Sequence, residues 1–150
     1  MKDKNVNLIY RGSRDGFGAD KFHKKCDGFE NTITVILSEH DKIFGGYTEV
    51  KWGTGKGHQS DSNAFIFSVS QKFISEVKDT EKAVWNKANS GPTFGDYDIS
   101  ISSCCNENSK SFSTFGYTYT MPEGMVYGSD EAESYLAGSN SFKVNDIEVF

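Results

Sequence analysis

The sequence has no long hydrophobic run and few prolines. No stretch of about 18 apolar residues occurs, so no transmembrane helix and no membrane insertion are predicted. The polar start of the chain is followed by only a short apolar run over residues 6–10, too short for the hydrophobic region of a signal peptide. We therefore expect a cytoplasmic protein. Two prolines and fifteen glycines among 150 residues indicate many turns and bends rather than disorder.

The three cysteines make a poor disulfide framework. Their number is odd, and Cys104 and Cys105 are neighbours, which rarely pair with each other. A reducing compartment is the simpler interpretation, with Cys26 and the adjacent pair as small buried or half-buried thiols. A redox role for Cys104 or Cys105 is the alternative, and for Cys105 it requires exposure beside a cation such as Lys110.

The chain is acidic, with a net charge of −5, and its acidic and basic residues are interspersed. Nucleic-acid binding needs a clustered basic face, which this pattern does not supply. The glycine-rich loop at 53–63 lacks the spacing of a phosphate-binding loop, and no convincing helix follows it to receive an anion. We predict no nucleic-acid partner and no cofactor.

Metal sites are also not predicted. The three histidines lie on separate predicted elements, and the cysteine pair lacks the C-x-x-C spacing of zinc ligands. Asp96, Asp98 and Glu107 lack the glycine-containing spacing of a calcium loop, so we interpret them as a solvated edge.

A Ser/His/Asp catalytic set can be nominated from Ser13, Asp15 and His23. Nothing in their spacing requires them to meet, and the Gly-x-Ser-x-Gly elbow is absent. We interpret Ser13 or Asp15 as the cap of a following helix and His23 as a solvated helix residue. No catalytic residue is predicted.

Aromatic residues, led by twelve Phe and seven Tyr, supply bulk that favours strands. Ala19, Phe22 and Cys26 follow helical spacing and predict a short amphipathic helix. The predicted strands cover residues 6–10, 32–38, 43–52, 64–69, 72–74, 83–85, 97–102, 115–119 and 142–150, with a loop at 86–95 and a helical turn near 129–135. About eight or nine strands joined by short turns predict a mainly β fold of two packed antiparallel sheets, flanked by one or two short helices.

The predicted strand at 43–52 contains two adjacent glycines, Gly45 and Gly46, in its interior. Glycine weakens a strand, so this pair indicates a bend or an element packed closely over the backbone. We expect the strand to form a hairpin with residues 32–38, and the 17–26 helix or the terminal strand to press on the glycines.

Glu148 interrupts an apolar terminal strand. A carboxylate there must face water or be paired, because burying it alone is costly. Edge protection, a buried hydrogen bond and a contact with a partner are all open interpretations. The hydrophobic face changes near Asn145 and Asp146, which predicts a bulge.

In their order along the chain, these segments resemble the TLDc domain of oxidation resistance proteins, in a version similar to those of unicellular eukaryotes. The segments are LIYRGSRDGF (8–17), FHKKCDG (22–28), IFGGY (43–47) with Trp52, AFIFS (64–68), GPTFG (91–95), LAGSNSF (136–142) and IEVF (147–150). No single piece is specific, but the ordered set covers nearly the whole chain.

The resemblance implies a β-sandwich flanked by short helices and protection against oxidative damage. For several members it also implies binding to the vacuolar-type proton ATPase, so we expect a domain that reaches endomembranes through a protein partner. We also expect this domain to be monomeric. The family supplies no settled catalytic residues, and Asp15 stands where animal members often have histidine. The candidate structural or partner-contact residues are Asp15, Gly45, Gly46, Gly95 and Glu148.

We favour a non-catalytic interaction module over two alternatives, a redox-active or hydrolytic enzyme that protects against oxidative damage and a structural component of a cytoskeletal assembly. Residues 1–150 are expected to form a single domain. The helical segment that usually precedes the first strand of the family is missing, so the chain is expected to be an excerpt of a longer protein.

Overall fold

Strands dominate the chain in the computed structural model, which describes residues 5–55 and 57–150. Within those residues the strands are β1 (Tyr10–Arg11), β2 (Thr32–Ser38), β3 (Ile43–Thr48), β4 (Gly57–Gln59), β5 (Phe65–Ser68), β6 (Phe73–Glu76), β7 (Val84–Asn86), β8 (Ser90–Phe94), β9 (Ile99–Ser102), β10 (Ser111–Phe112), β11 (Ser141–Phe142) and β12 (Val144–Val149). The helices are α1 (Gly12–Asp15), α2 (Ala19–Cys26) and α3 (Asp130–Ser134), with a 3-10 turn at Thr80–Lys82. None of these helices is long and apolar enough to cross a membrane.

The strands form two antiparallel sheets of six strands each. The first sheet has the order β1-β12-β2-β3-β5-β6, and the second has the order β11-β10-β9-β8-β7-β4. Apolar residues from both sheets and from α2 pack into one core. The predicted mainly β sandwich with a few short helices is confirmed.

The hairpin predicted around residues 39–42 is confirmed as the pair β2 and β3. Their register runs from Thr32 opposite Thr48 to Leu37 opposite Ile43. On β2 every second residue is buried, as expected where one face of a sheet packs on a core. This pair occupies the middle of the first sheet and positions its neighbours, β12 and β5.

Each of the two glycines in β3 is covered, but by other elements than we expected. A Cβ built on Gly46 would lie 2.6 Å from the ring of Phe94, which comes from β8 of the facing sheet. A Cβ built on Gly45 would collide with the backbone carbonyl oxygen of Thr34 on β2 and approach the ring of Phe67. The expectation that the helix or the terminal strand covers these glycines was therefore wrong.

Helix α2 follows the predicted pattern, with Ala19, Phe22 and Cys26 buried. The ring of Phe22 meets that of Trp52 edge-on at 5.3 Å and packs the helix onto the core. The predicted cap was wrong, because Gly18 is the N-cap residue and no side chain caps the helix.

Residues 86–95, predicted as a loop, contain strand β8. Gly91 and Pro92 lie inside this strand, which pairs with β9 through a register shift between Ser90 and Thr93. Proline lacks the N–H of a regular ladder but is accommodated at such an irregularity. Strand β9 begins only at Ile99, two residues after the start of the predicted strand at 97–102, and is almost fully buried.

The terminal strand predicted at 142–150 is divided between the sheets. Its first residues form β11 in the second sheet, and β12 continues in the first. The register of β12 against β2 shifts between Val144 and Asp146, which confirms the predicted bulge. The first predicted strand also differs, because pairing with β12 begins at Tyr10 rather than at Val6.

Candidate functional site

The outer face of the first sheet is unusually apolar for a solvent-facing surface. Alternate residues of β2, β3, β5 and β6 point away from the core, and we call the apolar ones the apolar face. They are Ile33, Val35, Leu37, Ile43, Tyr47, Phe65, Phe67 and Ile74. An antiparallel sheet with one wet face normally carries polar residues there. A contiguous exposed apolar surface marks an interaction site.

The strand register makes the apolar face continuous. Ile33, Tyr47 and Phe65 stand opposite one another on three neighbouring strands, and the rings of Tyr47 and Phe65 stack at 5.2 Å. The next row ends with Phe67 opposite Ile74. Ile74 is 66% exposed, because β6 is the last strand of this sheet.

Beyond the end of β5 lies Val69, which is 55% exposed. Together with Phe65, Phe67 and Ile74 it lines a shallow groove of about 350 Å³. This groove is the part of the apolar face that a partner's side chain could fill.

Two of the predicted contact residues form a polar border beside the apolar face. Glu148 of β12 is opposite Val35, and its carboxylate accepts a hydrogen bond from the Arg11 Nε at 3.1 Å. The backbone N–H of Arg11 donates in turn to the Asp15 carboxylate at 3.0 Å. The structure thus brings Asp15 and Glu148 together through Arg11.

The environments of the Glu148 and Asp15 carboxylates follow from these contacts. Strand β12 lies between β1 and β2, so Glu148 does not protect a sheet edge. Asp15 accepts hydrogen bonds from the Arg14 guanidinium and from the Arg11 N–H, and these lower its pKa to about 2. Asp15 is therefore ionised at neutral pH and closes the first turn of the chain instead of capping α2.

Gly45 lies in the row of the apolar face that contains Val35, whereas Gly46 points into the core. Gly95 is in a separate place, the turn after β8. Its φ of +69° is in the region that favours glycine, and a Cβ there would lie 2.9 Å from the Thr118 side chain. At each of these three glycines a Cβ would come within 3.0 Å of a neighbouring atom.

Asp98, next to Gly95, is a buried carboxylate, so its interpretation as part of a solvated edge was wrong. Asp98 is 0% exposed, and its oxygens accept hydrogen bonds from the backbone N–H groups of Gly116, Thr118 and Tyr119 at 3.0–3.1 Å. These N–H groups turn toward a side chain, which explains why residues 115–119 form a loop rather than the predicted strand. Burial raises the pKa of Asp98 to about 6, and the hydrogen bonds oppose that rise.

The raised pKa of Asp98 makes stability depend on pH. The folded protein binds the Asp98 proton more tightly than the unfolded chain, whose carboxyl has a pKa near 4. This contribution is fully present below about pH 4 and is lost as the pH rises through about 6, and it amounts to about 3 kcal/mol. We expect urea titrations between these pH values to show this fall, and an Asp98→Asn variant to lack it. An equal slope in both proteins would contradict the assignment.

His23 is buried rather than solvated, which corrects the prediction. Its Nδ1 lies 2.7 Å from Asp27 Oδ1, and its Nε2 lies 2.6 Å from the Lys87 carbonyl oxygen and 2.9 Å from that of Ser90. The ring therefore ties α2 to the turn before β8. With both nitrogens engaged by these oxygens, His23 is not placed to activate a nucleophile.

The nominated Ser/His/Asp set does not assemble. The Ser13 hydroxyl donates to Asp146 Oδ2 at 2.7 Å, and Asp15 is held by the two arginines beside it. Within residues 5–55 and 57–150, no three His, Cys, Asp or Glu side chains converge closely enough to hold a metal ion.

The three thiols differ sharply in exposure. Cys26 and Cys105 are buried, and burial raises the pKa of each to about 12. Cys104 is exposed, on a left-handed backbone with φ of +54°. Solvent therefore reaches the thiol of Cys104, and the exposure that a redox role of Cys105 requires is not met.

Thiol labelling of the folded protein should follow this order. Reaction needs both access and the thiolate, and a thiol with a pKa near 12 is almost never ionised at neutral pH. We expect maleimide to modify Cys104 at least about tenfold faster than Cys26 or Cys105, as read by mass spectrometry of peptides. Labelling in urea, where all three react, is the control, and equal rates in the folded state would contradict the burial pattern.

Comparison with known families agrees with this architecture. A family model for the TLDc domain matches residues 1–150, the full length of the sequence.

Proposed function

This chain belongs to the TLDc domain family, and on that premise we propose that it is a non-catalytic protein-interaction module of the oxidation-resistance type. The partner that we propose is the vacuolar-type proton ATPase, because the resemblance to oxidation resistance proteins implies binding to this pump for several members of the family. The module would then be cytoplasmic and would reach endomembranes through the pump, regulating its assembly.

The apolar face is the observation that carries this proposal. Its residues span four adjacent strands, and neighbouring strands are about 4.8 Å apart, so the face is about 15 Å wide. A few central side chains, aromatic ones prominent among them, supply most of the energy of a protein interface. The charged border at Arg11 and Glu148 fits the polar rim that surrounds such a patch.

A charge placed on the apolar face should abolish docking without unfolding the domain. Ile74→Glu puts a carboxylate where a partner would exclude water, and Ile74 is 66% exposed, so the free domain tolerates the change. We expect the affinity for the purified pump to fall at least about tenfold, measured by biolayer interferometry. Melting temperatures of both proteins check that folding is intact.

Val126→Glu is the matched control. Val126 is 68% exposed and lies outside the apolar face, so the same charge is added at the same exposure. We expect this variant to bind like the unmodified protein. Loss of binding in Val126→Glu but not in Ile74→Glu would move the interface away from the apolar face. No binding of the unmodified protein would refute the pump as partner.

A thiol-based protective activity is the second candidate, favoured by the exposure of Cys104. Complementation of peroxide-sensitive cells separates the two functions. If docking protects the cells, Cys104→Ser complements fully and Ile74→Glu fails. If the thiol protects them, Cys104→Ser fails and Ile74→Glu complements fully.

A further inference from the structure

A pocket lined by tyrosines lies away from the apolar face, between the turn after β8 and the loop around residue 117. We call it the tyrosine pocket, and it has a volume of about 230 Å³. Tyr97, Tyr117 and Tyr127 line it together with Asp96. Tyr117 is 46% and Tyr127 is 49% exposed, and their ring centroids are 5.7 Å apart. The exposed rings of Tyr117 and Tyr127 therefore lie beside one carboxylate at a space open to solvent.

An ammonium group of the chain itself already lies at this pocket. The Nζ of Lys82 is 3.7 Å from Asp96 Oδ2 and 5.7 Å from the centroid of the Tyr117 ring. Both distances are in the range of ion-pair and cation–π attraction, but 3.7 Å exceeds a hydrogen bond. The Lys82 side chain is 38% exposed, so it can leave the pocket at little cost. His58 Nε2 lies at the same distance, 3.7 Å, from the other oxygen of Asp96. The pocket thus attracts cations, and both of these neighbours lie beyond hydrogen-bond distance of the carboxylate.

The Tyr97 side chain is held in place by neighbouring residues that do not line the pocket. Lys87 Nζ lies 4.0 Å from the Trp85 ring centroid and 4.4 Å from that of Tyr97, and it donates to the Tyr97 hydroxyl at 2.6 Å. The Tyr97 ring also packs against those of Trp85 and Phe112. Tyr97 is therefore a fixed boundary of the pocket, and the exposed rings of Tyr117 and Tyr127 are those left for a ligand.

The backbone at Tyr97 is strained. Its φ of +73° is a conformation that bulky residues rarely adopt, and the surrounding packing must hold it there. Strain of this kind concentrates at binding sites, where it fixes a side chain in advance. At this position it accompanies the packing of the Tyr97 ring against Trp85 and Phe112.

We propose that the tyrosine pocket binds an organic ammonium group, which displaces Lys82 from Asp96. Methylated ammonium groups fit best, because they carry a full positive charge but have few or no N–H groups for the pocket to satisfy. A small quaternary amine and a methylated lysine of a protein partner share this chemistry. The site is independent of the apolar face, which lies on the other sheet.

Choline and its uncharged carbon analogue, 3,3-dimethylbutan-1-ol, test the proposal directly. The two molecules have the same shape and differ in charge. NMR titration that follows the tyrosine ring signals should give saturable binding of choline, at least about fivefold tighter than binding of the alcohol. Equal binding of both molecules, or no saturation by choline, would overturn the proposal.

Two substitutions should move the affinity in opposite directions. Lys82→Met keeps the apolar stem but removes the competing ammonium, so choline should bind at least about threefold tighter. Tyr117→Leu removes a ring from an exposed position and should weaken binding at least about threefold. Lys110→Met removes an exposed lysine elsewhere and should change nothing. A Lys82→Met variant that binds no better than the Lys110→Met control would show that the pocket is not the site.

The source of the ammonium is found with two further probes. Free trimethyllysine and a trimethyllysine peptide are titrated beside the unmethylated peptide. A peptide that binds tighter than the free amino acid assigns the pocket to a methylated protein partner, and equal affinities assign it to a small amine. An unmethylated peptide that binds as tightly as the methylated one would contradict selection for methylated ammonium.

Discussion

Asp98→Ala is expected to lower the free energy of unfolding by about 3 kcal/mol at pH 7. The substitution leaves three backbone N–H groups, those of Gly116, Thr118 and Tyr119, without their acceptor inside the protein. Each buried donor left unsatisfied costs about 1–3 kcal/mol. The variant also no longer buries a charge, and this relief offsets part of that loss at pH 7. At pH values well below the Asp98 pKa of about 6, the unmodified protein carries no charge at Asp98. The substitution then relieves no buried charge, so the loss of stability is larger in acid than at pH 7.

Asp98→Asn is the control for this expectation. The N–H groups of Gly116 and Tyr119 lie 3.1 Å from Asp98 Oδ2, and that of Thr118 lies 3.1 Å from Oδ2 and 3.0 Å from Oδ1, so an amide oxygen in the place of Oδ2 keeps an acceptor near all three. We expect the Asn variant to lose less than half as much stability as the Ala variant in urea unfolding. Equal losses would mean that the carboxylate does not hold the loop through these bonds.

Gly45→Ala is expected to cost about 3 kcal/mol or more. The added methyl group collides with the backbone carbonyl of Thr34, and a backbone atom cannot rotate away as a side chain can. Relief requires β2 and β3 to separate in the middle of the first sheet, which breaks hydrogen bonds of the ladder. Thermal unfolding should show the loss as a lower melting temperature.

Gly124→Ala separates this steric effect from the general cost of replacing glycine. A Cβ at Gly124 meets nothing within 4 Å, but its φ of +83° disfavours a side chain. We expect a loss of about 1–2 kcal/mol there, from backbone conformation alone. A Gly45→Ala variant as stable as the Gly124→Ala variant would refute the close approach of β2 to β3.

Local patterns in the sequence determined the architecture. The strand composition of residues 32–38, the helical spacing of Ala19, Phe22 and Cys26, and the change of hydrophobic face near Asn145 each depend on neighbours along the chain. The hairpin, helix α2 and the bulge in β12 agree with these predictions. The predictions failed where a partner distant in sequence determines the backbone conformation. Residues 115–119 form a loop around Asp98 instead of a strand, and residues 90–94, predicted as part of a loop, form β8.

Tertiary structure alone decided which residues meet. Gly45 and Gly46 were found as a pair, but only the packing of the sheets shows that Thr34 covers one and Phe94 the other. Asp96 and Asp98 are near neighbours in sequence, yet one faces the tyrosine pocket and the other is fully buried. The sequence by itself determined the sandwich, because alternation and turns are short-range properties. Burial, pairing and pocket shape depend on contacts between distant segments, so the apolar face and the tyrosine pocket were decided by the fold.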